Sequence, residues 1–162
     1  MKSSADIDDA VNKVREQFLP LVRKAAGFAS YSLAVTDGSE IVSAGFFTDR
    51  KGADESADLA RTWVTDTLGQ TIDGPPKVSA GDVLLSDRMG GHAGFGVLRR
   101  MKLKAGKGDA ALDVIRGLLA MLKEVPGFVS GAVIAPATDE LLVIGAYRDR
   151  ASSEEATTIA RP

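Results

Sequence analysis

The amino-acid sequence predicts an α+β fold made of tandem ferredoxin-like repeats, with antiparallel sheets and the helices on the outside. The first observation behind this prediction is an internal repeat, in which residues 101–161 align with residues 1–61 without a gap. The second is the order of periodic patterns, which runs helix, strand, strand, helix in each copy. The third is a strand-like pair between the two copies, which completes the β-α-β-β-α-β order of a ferredoxin-like unit.

The repeat is recognised from coincident turn and capping residues. The tetrapeptide Gly27-Phe28-Ala29-Ser30 aligns with Gly127-Phe128-Val129-Ser130, and later Asp49-Arg50 aligns with Asp149-Arg150. We therefore assign residues 1–88 to repeat 1, which lacks most of its first strand, and residues 89–162 to repeat 2, which lacks its last strand. Either the coding sequence is shortened, or rearranged pairing or a second chain supplies the missing strands, because unpaired sheet edges recruit partners.

Each copy is predicted to open with an amphipathic helix. Apolar residues recur at three- and four-residue steps over residues 11–25 and again over residues 114–122. Pro20 has no backbone N–H to donate, so it should kink or interrupt the first helix, whereas its counterpart Ala120 should leave the second helix unbroken.

A hairpin and a further helix should follow in each copy. The hairpin strands are predicted over residues 28–35 and 41–48, and over the equivalent residues 128–135 and 141–148. Asp49 and Asp149 are placed to cap the helices that follow these hairpins. Two further strands, over residues 78–86 and 94–103, should connect the copies.

Composition excludes several classes of function. The formal net charge is −2, with 20 basic and 22 acidic residues mixed along the chain, so we predict neither a nucleic-acid partner nor a membrane partner. There is no cysteine and no spacing typical of metal ligands, so we expect no metal site and no disulfide. The start of the chain lacks an apolar signal region, which favours a cytoplasmic location.

Several segments resemble a known family, the antibiotic biosynthesis monooxygenase-like domains of the dimeric α+β barrel superfamily. The resemblance rests on four segments, which are Pro126-Gly127-Phe128-Val129-Ser130, Phe46-Phe47-Thr48-Asp49-Arg50, Ala60-Arg61-Thr62-Trp63-Val64 and the closing strand Pro75-Pro76-Lys77-Val78-Ser79-Ala80-Gly81-Asp82-Val83-Leu84. It implies two ferredoxin-like units whose sheets pack into a barrel, and self-association as a homodimer or larger assembly. It also implies a pocket between sheet and helices, where relatives bind polycyclic aromatics or haem and some oxidise them with O₂ without a dedicated cofactor.

Arg99 is the most informative candidate for a ligand-binding residue. It lies in an otherwise apolar strand row with Phe95, Val97, Met101 and Leu103. A buried guanidinium needs a carboxylate, a ligand anion or water as its partner. A structural ion pair with Asp49 or Asp149 is the favoured interpretation, and an anchor for a ligand is the alternative.

Three other residues are candidates for ligand binding. Tyr31 shares a strand face with apolar residues and could line a pocket, although packing explains it equally well. For Trp63 the favoured interpretation is helix-to-sheet packing. His92 is the only histidine and lies in a loop between strands, where a solvated residue is favoured over a functional one.

The sequence supports two functional hypotheses. The first is binding, with cofactor-independent oxidation, of an aromatic small molecule by a monooxygenase-like protein. The second is a non-catalytic binding or assembly module of the same fold. Haem binding ranks below both, because His92 is in a loop and not on the second helix, where the haem-degrading relatives carry their histidine. No catalytic residue is assigned.

Overall fold

The computed structural model describes residues 4–160, which divide into two compact units. The first unit ends at Val78 and contains a two-stranded sheet, and the second begins at Ser79 and contains a four-stranded sheet. Both sheets are antiparallel and are accompanied by helices, which confirms the predicted α+β class. Among the described residues, no helix is both long and apolar enough to cross a bilayer.

The first unit begins with three consecutive helical segments, followed by a hairpin and a long helix. Its elements are α1 (Ser4–Lys13), a π-helix (Val14–Phe18), α2 (Leu19–Val22), β1 (Phe28–Val35), β2 (Ile41–Phe47) and α3 (Arg50–Leu68). The two strands are joined in register from Val35↔Ile41 to Phe28↔Phe47, with one irregularity near residue 29.

The π-helix lies immediately before Pro20. The backbone N–H of Leu19 donates to the carbonyl oxygen of Val14, which is the five-residue spacing of a π turn. Pro20 itself has no N–H, and its ring would crowd the carbonyl four residues earlier in a regular α-helix. A widened turn before the proline relieves that crowding. The predicted interruption is therefore confirmed, as is the continuity of the helix that contains Ala120.

The second unit has a complete four-stranded sheet. Its elements are β3 (Asp82–Arg88), β4 (Phe95–Lys102), α4 (Gly108–Leu122), β5 (Phe128–Ala137), β6 (Glu140–Tyr147) and α5 (Arg150–Ala160). The strand order is β3-β5-β6-β4. In a ferredoxin-like unit the fourth strand lies beside the first. Strand β4 is the first strand of the second repeat, so a fourth strand would pair with the outer edge of β4. That edge carries no strand within residues 4–160.

Strand β3 supplies the far edge of this sheet. The repeat assigns β3 to the first copy, yet it pairs with β5 through a register that includes Asp87↔Gly131 and Arg88↔Ser130. The compact units consequently divide the chain after Val78, whereas the repeat places its boundary after residue 88. Strand pairing follows from which edge is available in space, and a repeat in the sequence carries no information about that choice.

The core of the first unit is a stripe of side chains from the first helix packed on one face of the hairpin. Its buried members are Ala10, Val14, Phe18, Val22 and Leu68. The first four recur every four residues, so they share one helix face, and they contact partly buried side chains of β1, β2 and α3. The core of the second unit is built around Phe128 and Tyr147, whose rings meet edge-on with centroids 5.8 Å apart.

Aspartates cap the helices that follow both hairpins, as predicted. Asp49 accepts a hydrogen bond from the Gly52 N–H at 2.8 Å. Asp149 accepts from the Ser152 N–H at 2.8 Å and also from the Ser152 hydroxyl at 2.7 Å. Hydrogen bonds from Ser152, with a smaller contribution from Arg148, lower the pKa of the Asp149 carboxyl from 3.8 to about 2.

The low pKa of Asp149 predicts a loss of stability in acid. A carboxyl whose pKa is lower in the folded than in the unfolded chain stabilises the fold above about pH 4, and this contribution is lost as the pH falls towards 2. Asp149→Asn, which keeps a capping oxygen but cannot titrate, should flatten the pH dependence of the free energy of unfolding. Urea denaturation at about pH 5.5 and pH 3 measures it. Asp109→Asn, at an exposed position on α4, is the control and should keep the wild-type slope.

Candidate functional site

The four candidate residues from the sequence are divided between the two units. Tyr31 on β1 and Trp63 on α3 belong to the first unit, whereas Arg99 on β4 and the loop residue His92 belong to the second. Each unit therefore contains two of the four candidates.

Tyr31 lies on the helix-facing side of the first sheet. It pairs with Gly45 across the hairpin, and its ring lies together with that of Phe47 over this glycine. The Tyr31 hydroxyl is hydrogen-bonded to the Ser43 hydroxyl on the neighbouring strand. Burial raises the pKa of Tyr31 above its usual value of 10.0, and the bond to Ser43 lowers it by less. The phenol is consequently neutral at physiological pH.

The ring of Phe18, on the π-helix, contacts two other aromatic rings of the first unit. The buried Phe18 ring lies 5.8 Å from the ring of Tyr31 and 5.3 Å from that of Trp63, measured between centroids. Both contacts are tilted, which is a favourable arrangement for aromatic pairs. Trp63 on α3 thus packs against a helical segment through Phe18, whereas the favoured interpretation of the sequence was packing of Trp63 against the sheet. Tyr31 reaches further, to the wall of a cavity.

This cavity lies between the first helix and the hairpin and has a volume of about 150 Å³. The lining is mostly apolar, with one phenol and one guanidinium side chain; its residues are Val11, Val14, Arg15, Leu19, Tyr31 and Leu33. Val14 and Arg15 belong to the π-helix and Leu19 follows it directly. The widened turn therefore supplies two of the six lining residues, and the residue after it supplies a third.

Arg15 is the cavity residue that the sequence analysis missed. It is exposed, and it forms no ion pair or hydrogen bond with residues 4–160. Close to it in the sequence, the Lys13 ammonium group forms an ion pair with Asp9 at 2.8 Å. The guanidinium of Arg15, in contrast, has no carboxylate partner among residues 4–160. The available signal was Pro20, since π turns occur frequently at functional sites.

A second cavity of about 210 Å³ lies at the other end of the first unit, next to the end of α3. It is lined by Val64, Thr65, Gly69, Ile72, Gly74 and Pro75. This lining has no charged or aromatic side chain, and the Thr65 hydroxyl already donates to the carbonyl oxygen of Arg61. It offers fewer groups that could orient a ligand than the Tyr31 cavity does.

Arg99 has a different partner from the one predicted. Its guanidinium is hydrogen-bonded to the Tyr147 hydroxyl, and it forms no ion pair within the described part of the chain. The predicted ion pair with Asp149 is wrong, since that carboxylate caps α5 and pairs with Arg148 at 3.0 Å; Asp49, the other predicted partner, belongs to the first unit. Arg99 lies on the edge strand β4 and is exposed, so solvent satisfies its charge without a carboxylate.

His92 is exposed in the loop that connects β3 to β4. Gly90 and Gly91, which precede it, both have positive φ angles of 93° and 96°, so the loop needs glycine at these positions. No group of three or more histidine and acidic side chains between residues 4 and 160 could hold a metal ion. Arg99 and His92 share a unit, and neither lines the two cavities of the first unit described above.

Solved structures of similar fold come from monooxygenase-related proteins. A candidate monooxygenase from Fusobacterium nucleatum subsp. nucleatum is 12% identical, with a TM-score of 0.73 over 94% of this chain and 75% of its own. An anthrone oxidase-like protein is 14% identical, with a TM-score of 0.57 over 99% and 79% of the two chains.

A ferredoxin-fold protein from Listeria monocytogenes 4b, related to antibiotic biosynthesis monooxygenases, is 14% identical, with a TM-score of 0.54 over 89% of this chain and 78% of its own. No family profile and no curated protein sequence matches the chain. At these identities the likeness shows the fold, and it confirms the ferredoxin-like architecture that the sequence predicted.

The central position of Phe18 predicts its effect on stability. Phe18→Ala should lower the free energy of unfolding by about 3–5 kcal/mol, because it leaves a void between Tyr31 and Trp63. Phe18→Leu, which keeps much of the apolar volume, is the control and should lower the free energy of unfolding by less than Phe18→Ala does. Urea denaturation followed by the fluorescence of Trp63, the only tryptophan, measures both changes. Equal losses for the two variants would contradict the central position of this ring.

Proposed function

We propose that this chain binds an aromatic small molecule in the cavity beside Tyr31. The observation that carries the proposal is the cavity itself, whose apolar lining includes a phenol and an exposed guanidinium. Small-molecule sites are typically apolar with a few placed polar groups, and this lining has that composition. Arg99, Trp63 and His92 are not part of this cavity.

The proposed activity is oxidation of the bound molecule by O₂ without a dedicated cofactor. The support is the fold shared with a candidate monooxygenase and with an anthrone oxidase-like protein. Within the cavity, the neutral Tyr31 hydroxyl can exchange its hydrogen bond with Ser43 for one with a phenolic substrate. In such a reaction the substrate supplies the electrons, so an electron-rich phenol is the appropriate class to test.

Binding is tested with 4-methylphenol, a neutral single-ring probe. Its addition should raise the melting temperature and change the fluorescence of Trp63, which contacts Phe18 next to Tyr31. Val11→Phe, which places a ring in the cavity, should weaken binding by at least about tenfold. The matched control is Val114→Phe, because Val114 is 72% exposed on α4.

Oxidation is tested by measuring the rate of O₂ uptake with an electron-rich phenol. The rate measured without protein is subtracted as background. Loss of uptake in Val11→Phe, with uptake kept in Val114→Phe, supports catalysis in this cavity. Binding without O₂ uptake would contradict the oxidase activity and support ligand binding alone. Wild-type binding by Val11→Phe shows that the ligand site lies elsewhere.

A second candidate function is assembly with another copy of the chain. Within residues 4–160, β2 pairs only with β1, whereas the equivalent strand β6 is flanked by both β4 and β5. The outer edge of β2 therefore has backbone hydrogen-bonding groups available to a further strand, and open edges of this kind recruit other chains.

Sedimentation equilibrium over a range of concentrations tests assembly. The expected result is a mass above the 17.0 kDa of one chain, and Ala44→Lys on β2 should reduce it, because lysine on an edge strand opposes pairing. Thr62→Lys, at an exposed position on α3, should leave the mass unchanged. A wild-type chain that stays at 17.0 kDa at high concentration contradicts this function.

A further inference from the structure

We infer that the cavity beside Tyr31 takes a single-ring aromatic acid, with the ring among the apolar side chains and the carboxylate on Arg15. This inference rests on the proposed function and narrows it to one class of ligand. It differs from the polycyclic ligands that the family resemblance implies, and three features of the first unit support it.

The first feature is the size of the cavity. A volume of about 150 Å³ matches the engineered apolar cavity that binds one benzene molecule. A second fused ring adds four carbon atoms, and because the cavity is partly open, these atoms would extend towards solvent and not into the core, where Phe18 and Val14 are packed. A second ring is therefore expected to gain little additional apolar contact in this cavity.

The second feature is the charge at the cavity wall. Arg15 is the only charged residue in the lining, and no carboxylate of the described chain neutralises it. A guanidinium presents a planar fork that matches both oxygens of a carboxylate. The Tyr31 phenol, which is uncharged at neutral pH, does not oppose a bound anion. An acid is thus favoured over an amine or a neutral molecule of the same size.

The third feature is a difference between the two copies. Arg15 aligns with Ile115, Tyr31 with Gly131 and Ser43 with Val143, so three polar positions of the first copy lack polar side chains in the second. In the second unit the Leu119 side chain lies over Gly131, where a tyrosine would collide with it. The polar groups are therefore confined to the unit with the π-helix, as expected of a binding site rather than of packing common to both copies.

The experiment compares four ligands by isothermal titration with the wild-type chain. Benzoate is the expected ligand, benzamide is its neutral analogue of the same shape, 2-naphthoate adds one ring, and 4-methylphenol is the probe of the proposed function. Benzoate should bind about fivefold more tightly than benzamide, which corresponds to about 1 kcal/mol at an exposed charge pair. 2-Naphthoate should bind no more tightly than benzoate, because its second ring would lie towards solvent.

Variants at position 15 connect this preference to its cause. Arg15→Gln should remove the preference for benzoate over benzamide and leave the affinity for benzamide unchanged, and Arg15→Lys should restore part of it. Arg23→Gln is the matched control, since Arg23 is an exposed arginine of the same unit that is not part of the cavity lining. Because both arginines are exposed, all three variants should keep the wild-type melting temperature.

The outcomes separate this inference from the proposed function. Equal affinities for benzoate and benzamide overturn the role of Arg15 while 4-methylphenol binding still supports an aromatic site. Tighter binding of 2-naphthoate than of benzoate overturns the limit to one ring. Failure of all four ligands to bind overturns the proposed function together with the inference. A benzoate preference that survives in Arg15→Gln places the anion contact on another residue and also overturns the inference.

Discussion

The missing N–H of Pro20 is the constraint on which the first unit depends. A regular α-helix through this position would lose one hydrogen bond and place the proline ring against a preceding carbonyl group. The chain instead forms a π turn over Val14–Phe18, which inserts an additional residue into one turn of the helix. That turn keeps Phe18 on the buried face and brings Val14, Arg15 and Leu19 to one wall of the cavity.

The same segment serves both stability and the proposed site. Phe18 fills the space between Tyr31 and Trp63, so the sheet and α3 are held against the first helix by one ring. Tyr31 is oriented from two sides, by the Phe18 ring and by the hydrogen bond to Ser43. The wall of the cavity is thereby rigid where it contacts the core and open to solvent at Arg15. A preformed wall of this kind reduces the ordering cost of binding.

The sequence predicted local structure well, because hydrophobic period and capping act between residues close along the chain. Both hairpins, both aspartate caps and the interruption at Pro20 are found as predicted. The pairing of β3 with β5 could not be predicted, since it depends on which strand edge is open after the other elements have packed. The partner of Arg99 was missed for a similar reason. The alternation along β4 predicted which face of the sheet Arg99 lies on. It did not predict that β4 is an edge strand, where solvent reaches the guanidinium.

The cavity itself was beyond the sequence analysis, although its residues were not. Arg15 looked like one more exposed residue on the polar side of an amphipathic helix, and Ser43 like an ordinary strand residue. Their significance comes from comparison with the second copy, where Ile115 and Val143 occupy the aligned positions and the helix is regular. Substitutions that only maintain a core exchange one apolar side chain for another of similar volume. Arg15 and Tyr31, which line the cavity beside the π turn, and Ser43, which interacts with Tyr31, are polar differences of another kind, and they support the proposal of a site in the first unit.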